Sequence, residues 1–266
     1  MVGIKAAEYL LQEQTACCLA DSGRWIFPRS AHPNCAAYME SAVRAQGLEL
    51  RLGGELCKIR ENGAGLAAYF TDSQEPVYAD LILLCIGVRP NLSFVSPDEV
   101  KMSGGILVDS RMRTNQAGLY AAGDCTAGYD VFYQDNRMIG LMANARMQGR
   151  TAGRNMAGMA DSYCGSTPHN ITHFMGMDFV AVGEPMAEGN VFEQSLSDNR
   201  YFRIVWEKGR LLSVNLLNMP EIAGLLKNLF FKSQGVQMLS GGVQNTLEYE
   251  ELVSYLIKKY RNERIR

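Results

Sequence analysis

Gly118-Leu119-Tyr120-Ala121-Ala122-Gly123-Asp124-Cys125 is the stretch on which the reading of this chain turns. Leu119 and Tyr120 favour an extended backbone, and the run 118–124 is predicted as a strand that ends at Gly-Asp. The small residues at 121–123 let another molecule come close to the backbone. A carboxylate at the end of such a strand can accept hydrogen bonds from hydroxyl groups. Gly-Asp alone is also an ordinary turn, so the weight of the reading comes from its surroundings.

Upstream, Asp80-Leu-Ile-Leu-Leu-Cys-Ile-Gly87 is a fully apolar run that predicts a central strand buried on both faces. It leads into Val88-Arg89-Pro90-Asn91, where the proline stops it. Further short strands are predicted at 106–108. Downstream, 139–158 is rich in small residues and predicts a close-packed helix beginning near Gly140, Met142 and Ala143.

The N-terminal part has the rhythm helix, strand, helix, strand with short links, which predicts a parallel sheet covered by helices. Ile4, Ala7, Leu10 and Leu11 share a helical face over 3–14, and 15–20 is strand-like up to Asp21. Pro33 opens a helix over 33–46, Gly47 ends it, and 48–52 follows as a strand. Glu8 and Glu13 interrupt what would otherwise resemble a signal peptide. Residues 55–79 read as an antiparallel meander with a hairpin signal at Asn62-Gly63. Beyond a linker at 161–170 come short alternating strands, then helical patterns at 222–231 and 247–266.

The 266 residues are 47% hydrophobic and 20% charged, the balance of a globular protein. With 26 basic and 28 acidic side chains the net charge is -2, which gives no electrostatic case for nucleic acid or a membrane surface. No apolar run approaches the roughly 20 residues of a membrane-spanning helix. Seven cysteines without CxxC or CxxxxC spacing exclude a local redox dithiol and a recognisable zinc site. They are expected to be mostly buried, reduced thiols of a cytoplasmic protein. His169 and His173 have a spacing that could suggest metal, but no third ligand is apparent, and no metal site is expected.

Three segments in this order resemble the pyridine nucleotide-disulfide oxidoreductase family, in its NADH oxidase and rubredoxin reductase-like branch. Val2-Gly3-Ile4 is similar to the third glycine of G-x-G-x-x-G, Asp21 stands about 20 residues on, and Ile26-Phe27-Pro28-Arg29 is similar to the I-L-P-R that follows. Leu84 to Asn91 resembles the A-x-G-x-R-P-N signature around Gly87. Thr114 with Gly118 to Asp124 resembles T-x5-[IVL]-[YF]-A-x-G-D. The stretch 171–217 is similar to the third domain of the same branch.

The resemblance implies an α/β fold: a Rossmann-like NAD-binding domain over 1–90 lacking its first strand, the C-terminal part of an FAD-binding domain over 91–160, and a small α+β dimerisation-type domain over 161–235, followed by a helical tail over 236–266. It implies FAD and NAD(P)H as cofactors, NAD being favoured by Asp21. Gly3, Asp21 and Gly87 would serve the nicotinamide nucleotide, and Gly123, Asp124, Met142 and Ala143 the flavin. Hydride would pass from NAD(P)H to FAD and electrons on to an electron-carrier protein or a small-molecule acceptor, with no side chain acting as acid or base. A homodimer is implied.

The chain departs from the family in three places. The first G-x-G-x-x-G, which binds the ADP half of FAD, would lie before Met1, so the chain reads as N-terminally truncated and is expected to hold FAD poorly alone. The redox cysteine near that motif is absent, and Lys5 stands where many members have a glutamate. The alternative reading is a remnant or split-enzyme subunit acting as a nucleotide-binding or dimerisation module. An NAD-sensing Rossmann protein ranks last, because it leaves 114–125 unexplained.

Overall fold

A computed structural model describes residues 1–196, 198–235 and 258. Helix α1 (Val2–Gln12) buries Ile4 and Ala7, and β1 (Cys18–Asp21) pairs in parallel with β2 (Glu49–Leu52) across helix α2 (Pro33–Ala45). Proline at the start of α2 has no amide to lose, and His32 Nδ1 accepts from the Asn34 N–H (3.3 Å) to cap it. The meander follows as β3 (Leu56–Asn62), β4 (Gly65–Phe70) and β5 (Val77–Ala79). Its first hairpin turns on Gly63-Ala64, with positive φ only at Gly63, where a glycine is needed.

Strand β6 (Ile106–Leu107) lies parallel to β7 (Thr126–Asp130), which pairs in turn with β8 (Asp135–Arg137). Helix α3 (Met142–Met156) comes next. The remainder is a five-stranded antiparallel sheet of β9 (His169–Phe174), β10 (Met177–Gly183), β11 (Asn190–Ser195), β12 (Tyr201–Glu207) and β13 (Arg210–Leu217), in the order β11-β12-β13-β10-β9. Helix α4 (Pro220–Ser233) closes the described chain, and the helix expected over 247–266 lies, apart from Lys258, outside the described residues.

This sheet is buried on both faces. Val180, Val182, Phe202, Ile204, Val214 and Leu216 enter a core with Ile222, Leu226 and Phe230 of α4. Their neighbours Phe179, Ala181, Tyr201 and Leu217 enter a second core with Ile4 of α1, Cys35, Met39 and Val43 of α2, and Leu50 of β2. The period of two along each strand therefore feeds two cores at once, and residues 4–50 share one of them with residues 174–217. A third cluster joins Val100, Ile106, Val108 and Met112 to Ala152 and Tyr163.

Two expected strands are corrected. Residues 80–87 form no ladder, and Leu81, Leu83, Leu84, Ile86 and Val88 are exposed, Ile86 by 88%. An apolar run becomes a central strand only when strands flank it, and none does so among the described residues. Among the described residues, 118–124 form no ladder, only an isolated bridge of Tyr120 to Arg113, with the Ala121 N–H on Met112 O (3.2 Å) and the Thr114 N–H on Leu119 O (3.0 Å). The turn at Gly123-Asp124 ends the extension, and it is the residues beyond it that find partners, as β7. The cysteines are also less buried than expected: all seven are free, only Cys35 is fully buried, and Cys57, Cys85 and Cys164 are exposed. Among the described residues no helix is long and apolar enough to cross a membrane.

At the end of β7, Asp130 is fully buried. Its Oδ1 accepts from the Phe132 (2.9 Å) and Tyr133 (3.3 Å) N–H groups, while Oδ2 and the nearby Thr167 Oγ1 find no well-aligned hydrogen bond among the described residues. Burial pushes the Asp130 carboxyl above the usual carboxylate range, against the lowering effect of Thr167 and the two amides.

Two measurements check this account of the core. Phe230→Ala should lower unfolding free energy by about 3–5 kcal/mol in denaturant titration, whereas Ile86→Ser should change it by no more than about 0.5 kcal/mol. For Asp130 the folded pKa lies above the unfolded one. Its stabilising contribution is therefore complete below the ordinary carboxylate pKa and is lost as pH rises through the raised value. Asp130→Asn keeps the Oδ1 acceptor and removes the buried charge, so it should raise the Tm at neutral pH and leave no gain in acid.

Candidate functional site

The expected site residues gather in two groups. In the first, helix α1 crosses β1 at Gly3. A Cβ at Gly3 would lie 3.3 Å from Leu19 Cδ1 of β1 and 3.4 Å from Cys85 Cβ, so a larger residue would crowd both segments. Asp21 and Gly87 each lie two residues beyond these contacts. Asp21 ends β1, is exposed, and accepts from the Gly23 N–H through Oδ1 (2.7 Å). Gly87 is exposed, takes a φ of +96°, and has open space where a Cβ would stand. Lys5, on the exposed side of α1, is paired with Glu8.

The second group is built on the break between 118–122 and β7. Gly123 has a φ of +87°, which a residue with a Cβ adopts at a cost, and its open side faces Ala145 Cβ at 3.7 Å. The turn is locked by one side chain of α3. Gln148 Oε1 accepts from the Gly123 N–H (2.8 Å) and from Thr126 Oγ1 (2.9 Å), and Thr126 Oγ1 also reaches Gly123 O (2.7 Å). Gly128 makes room for this clamp, because a Cβ there would stand 2.6 Å from Gln148 Nε2.

Asp124 is consequently held in front of α3. Its carboxylate lies 3.9 Å from where a Cβ of Gly140 would be, is exposed, and forms no ion pair or hydrogen bond among the described residues. Among the described residues no side chain caps the start of α3, and its first turn carries no acid, so its N-terminal amides have no side-chain acceptor beside exposed Met142 and Ala143. The amides and the helix dipole together favour an anion or a negatively charging ring at this place. Behind them, Tyr163 donates to Asn144 Oδ1 (2.6 Å), and Asn144 Nδ2 donates to Ile139 O (3.1 Å), which fixes the approach to the helix. Burial pushes the Tyr163 phenol well up, so it acts as a donor.

Gln148, Thr126, Asn144 and Tyr163 were not singled out as site residues from the sequence. A signal for part of the set was there: Asn144, Gln148 and Thr151 recur at the spacing of one helix face, and polar residues on the inner face of a small-residue helix call for buried partners. His169 and His173 take separate partners, Thr167 O (3.0 Å) and Asp178 Oδ1 (2.8 Å), and no group of three metal-ligating side chains exists among the described residues.

Comparison with known proteins adds the lineage. The family model for pyridine nucleotide-disulphide oxidoreductases matches residues 1–149. The epsilon subunit of an NADH-dependent phenylglyoxylate dehydrogenase from Aromatoleum evansii is 29% identical over 186 residues, 69% of this chain and 44% of that protein. The rubredoxin-NAD(+) reductase of Pseudomonas putida is 23% identical over 208 residues, 76% of this chain and 52% of that protein. Among solved structures, the water-forming NADH oxidase of Lactobacillus brevis bound to NADH shares the fold with a TM-score of 0.78 at 21% identity, covering 95% of this chain and 62% of that one. The chain spans about half the length of the curated relatives it matches. A family match over more than half of its residues, in a chain whose Gly3 packs between Leu19 and Cys85 and whose Gly123-Asp124 turn fronts α3, shows that it belongs to the pyridine nucleotide-disulphide oxidoreductase family.

Proposed function

We propose that this chain binds both the nicotinamide nucleotide and FAD and works as an NAD(P)H-dependent flavin oxidoreductase, with hydride passing from the one to the other and electrons on to an acceptor. The observation that carries the reading is the Gly123-Asp124 turn, clamped by Gln148 in front of an uncapped helix start, with its carboxylate unengaged among the described residues. These residues fit FAD. Asp124 would accept from a ribityl hydroxyl, Gly123 and Gly140 leave room for the backbone to approach, and the amides at Met142 and Ala143 would face the ring. When bound, FAD supplies the hydride-accepting and electron-passing chemistry. Everything left to this chain is positioning and electrostatics: the dipole of α3 favours negative charge beside its first turn.

Gly3, Asp21 and Gly87 would hold the nicotinamide nucleotide. Asp21 keeps Oδ2 for the adenosine ribose hydroxyls and repels a 2′-phosphate, which supports NAD over NADP. The likeness to a rubredoxin-NAD(+) reductase supports an electron-carrier protein as acceptor, with a small molecule as the other class. The resemblance supports a homodimer, and seven free thiols accord with a reducing, cytoplasmic setting.

The exposed apolar run at 81–88 favours a second reading, a nucleotide-binding module that works only when further polypeptide covers that surface. One experiment separates the two. The visible absorbance of the pure chain is recorded with added FAD and then with NADH. Retained flavin bands that bleach with NADH support the first reading. NADH binding without retained flavin supports the second, and binding of neither overturns both. If flavin is retained, Asp124→Ala should weaken it by roughly 10- to 100-fold, the loss of a hydrogen bond to a charged acceptor.

A further inference from the structure

The turn that carries Asp21 is braced from a distance. Phe27 has a φ of +54°, a left-handed conformation that is costly for a residue with a Cβ and persists only where packing imposes it. Its ring is stacked on Phe179 (5.4 Å between centroids) and meets Phe174 edge-on (5.3 Å), both fully buried in the five-stranded sheet. The next residues are held by the same sheet. Asn215 of β13, 1% exposed, accepts from the His32 N–H through Oδ1 (2.6 Å) and donates through Nδ2 to Ser30 O (3.0 Å). Asn170 of β9 hydrogen-bonds the Ser30 hydroxyl.

Contacts run from there back to the acid. Ser30 and Ala31 N–H groups donate to Phe27 O (2.8 Å each). Pro28, next to Phe27, presses on Gly23 so closely that a Cβ there would stand 2.5 Å from Pro28 Cγ. Gly23 in turn donates to Asp21 Oδ1, and Gly53 N–H ties both Asp21 O (3.0 Å) and Gly23 O (2.9 Å) to the end of β2. Every link is a packed contact or a hydrogen bond, so a shift of residues 27–32 reaches the carboxylate.

We propose that the C-terminal sheet, acting through Phe27 and Asn215, positions Asp21 for the adenosine ribose and so sets the preference between NADH and NADPH. Both are positioning residues. The inference rests on the NAD(P)H reading above and deepens it by assigning the nucleotide preference to a part of the molecule remote from the turn.

The test compares the affinity of the full chain for NADH, NADPH and reduced nicotinamide mononucleotide, which lacks the adenosine half. Asn215→Leu keeps the volume without the hydrogen bonds, and Phe27→Leu keeps an apolar plug without the ring stack. Gln46→Leu is the control: it removes Gln46 Nε2 to Met175 O (2.9 Å), a contact between α2 and the same sheet that does not involve the turn. Asn215→Leu and Phe27→Leu should each weaken NADH about tenfold, the loss of one or two hydrogen bonds' worth of positioning. They should narrow the NADH over NADPH preference and leave the mononucleotide unchanged, with Gln46→Leu behaving as wild type. Wild-type NADH affinity in both variants overturns the proposal. So does equal loss of the mononucleotide, or the same loss in Gln46→Leu. If Asn215→Leu does not fold, Phe27→Leu decides. A wild-type chain that binds neither dinucleotide fails the NAD(P)H reading itself, before any variant is made.

Discussion

Because alternate residues of β10, β12 and β13 enter two different cores, a one-residue slip in any of these strands would exchange both sets of side chains at once. That constraint fixes the register of the five-stranded sheet, and much else is hung on it. Helix α4 covers one face, and α1, α2 and the β1-β2 pair cover the other. The parallel pair is only two strands wide, too small to bury its own apolar residues, so the sheet does for it what further parallel strands do in a larger α/β unit. The region carrying Gly3 and Asp21 therefore shares its core with that sheet.

The group around Gly123 and Asp124 is ordered on a different principle. Here one amide oxygen, Gln148 Oε1, serves both a strained glycine amide and a buried hydroxyl, and the small residues around it exist to let that happen. Gly128 is open so that Gln148 can enter, and Gly123 takes the positive φ that brings its amide to Gln148. The exposed Asp124 carboxylate and the uncapped amides of α3 are left over from this arrangement, with no side-chain partner among the described residues. A preformed polar edge of this kind lowers the ordering cost of holding a ligand.

Beside Gly3, within the first group, lies an exposed apolar run. Residues 81–88 have the composition of a buried strand and the exposure of a loop. A contiguous apolar surface with unpaired backbone groups invites pairing with another strand. Gly3, resting on both β1 and Cys85, shows that α1 spans this gap rather than sitting over a single strand.

The elements that could be read from the chain alone were those with strong local signals. Pro33 and Gly47 bracket α2, Gly63 marks the hairpin, and the alternation in 179–183 and 201–217 marks the sheet, because backbone preferences and side-chain alternation act over a few residues. The turn at 123–124 and the strand end at Asp21 were legible for the same reason, as short patterns tied to one backbone geometry. What the tertiary structure alone decided were the partnerships. Residues 80–87 looked like a central strand because composition reports what a segment would bury, whereas pairing depends on which strands lie beside it. Residues 118–124 lost their strand to 126–130 for the same reason. The Gln148 clamp and the Asn215 brace join residues 25 and more than 180 positions apart, and no local pattern encodes contacts that only folding brings together.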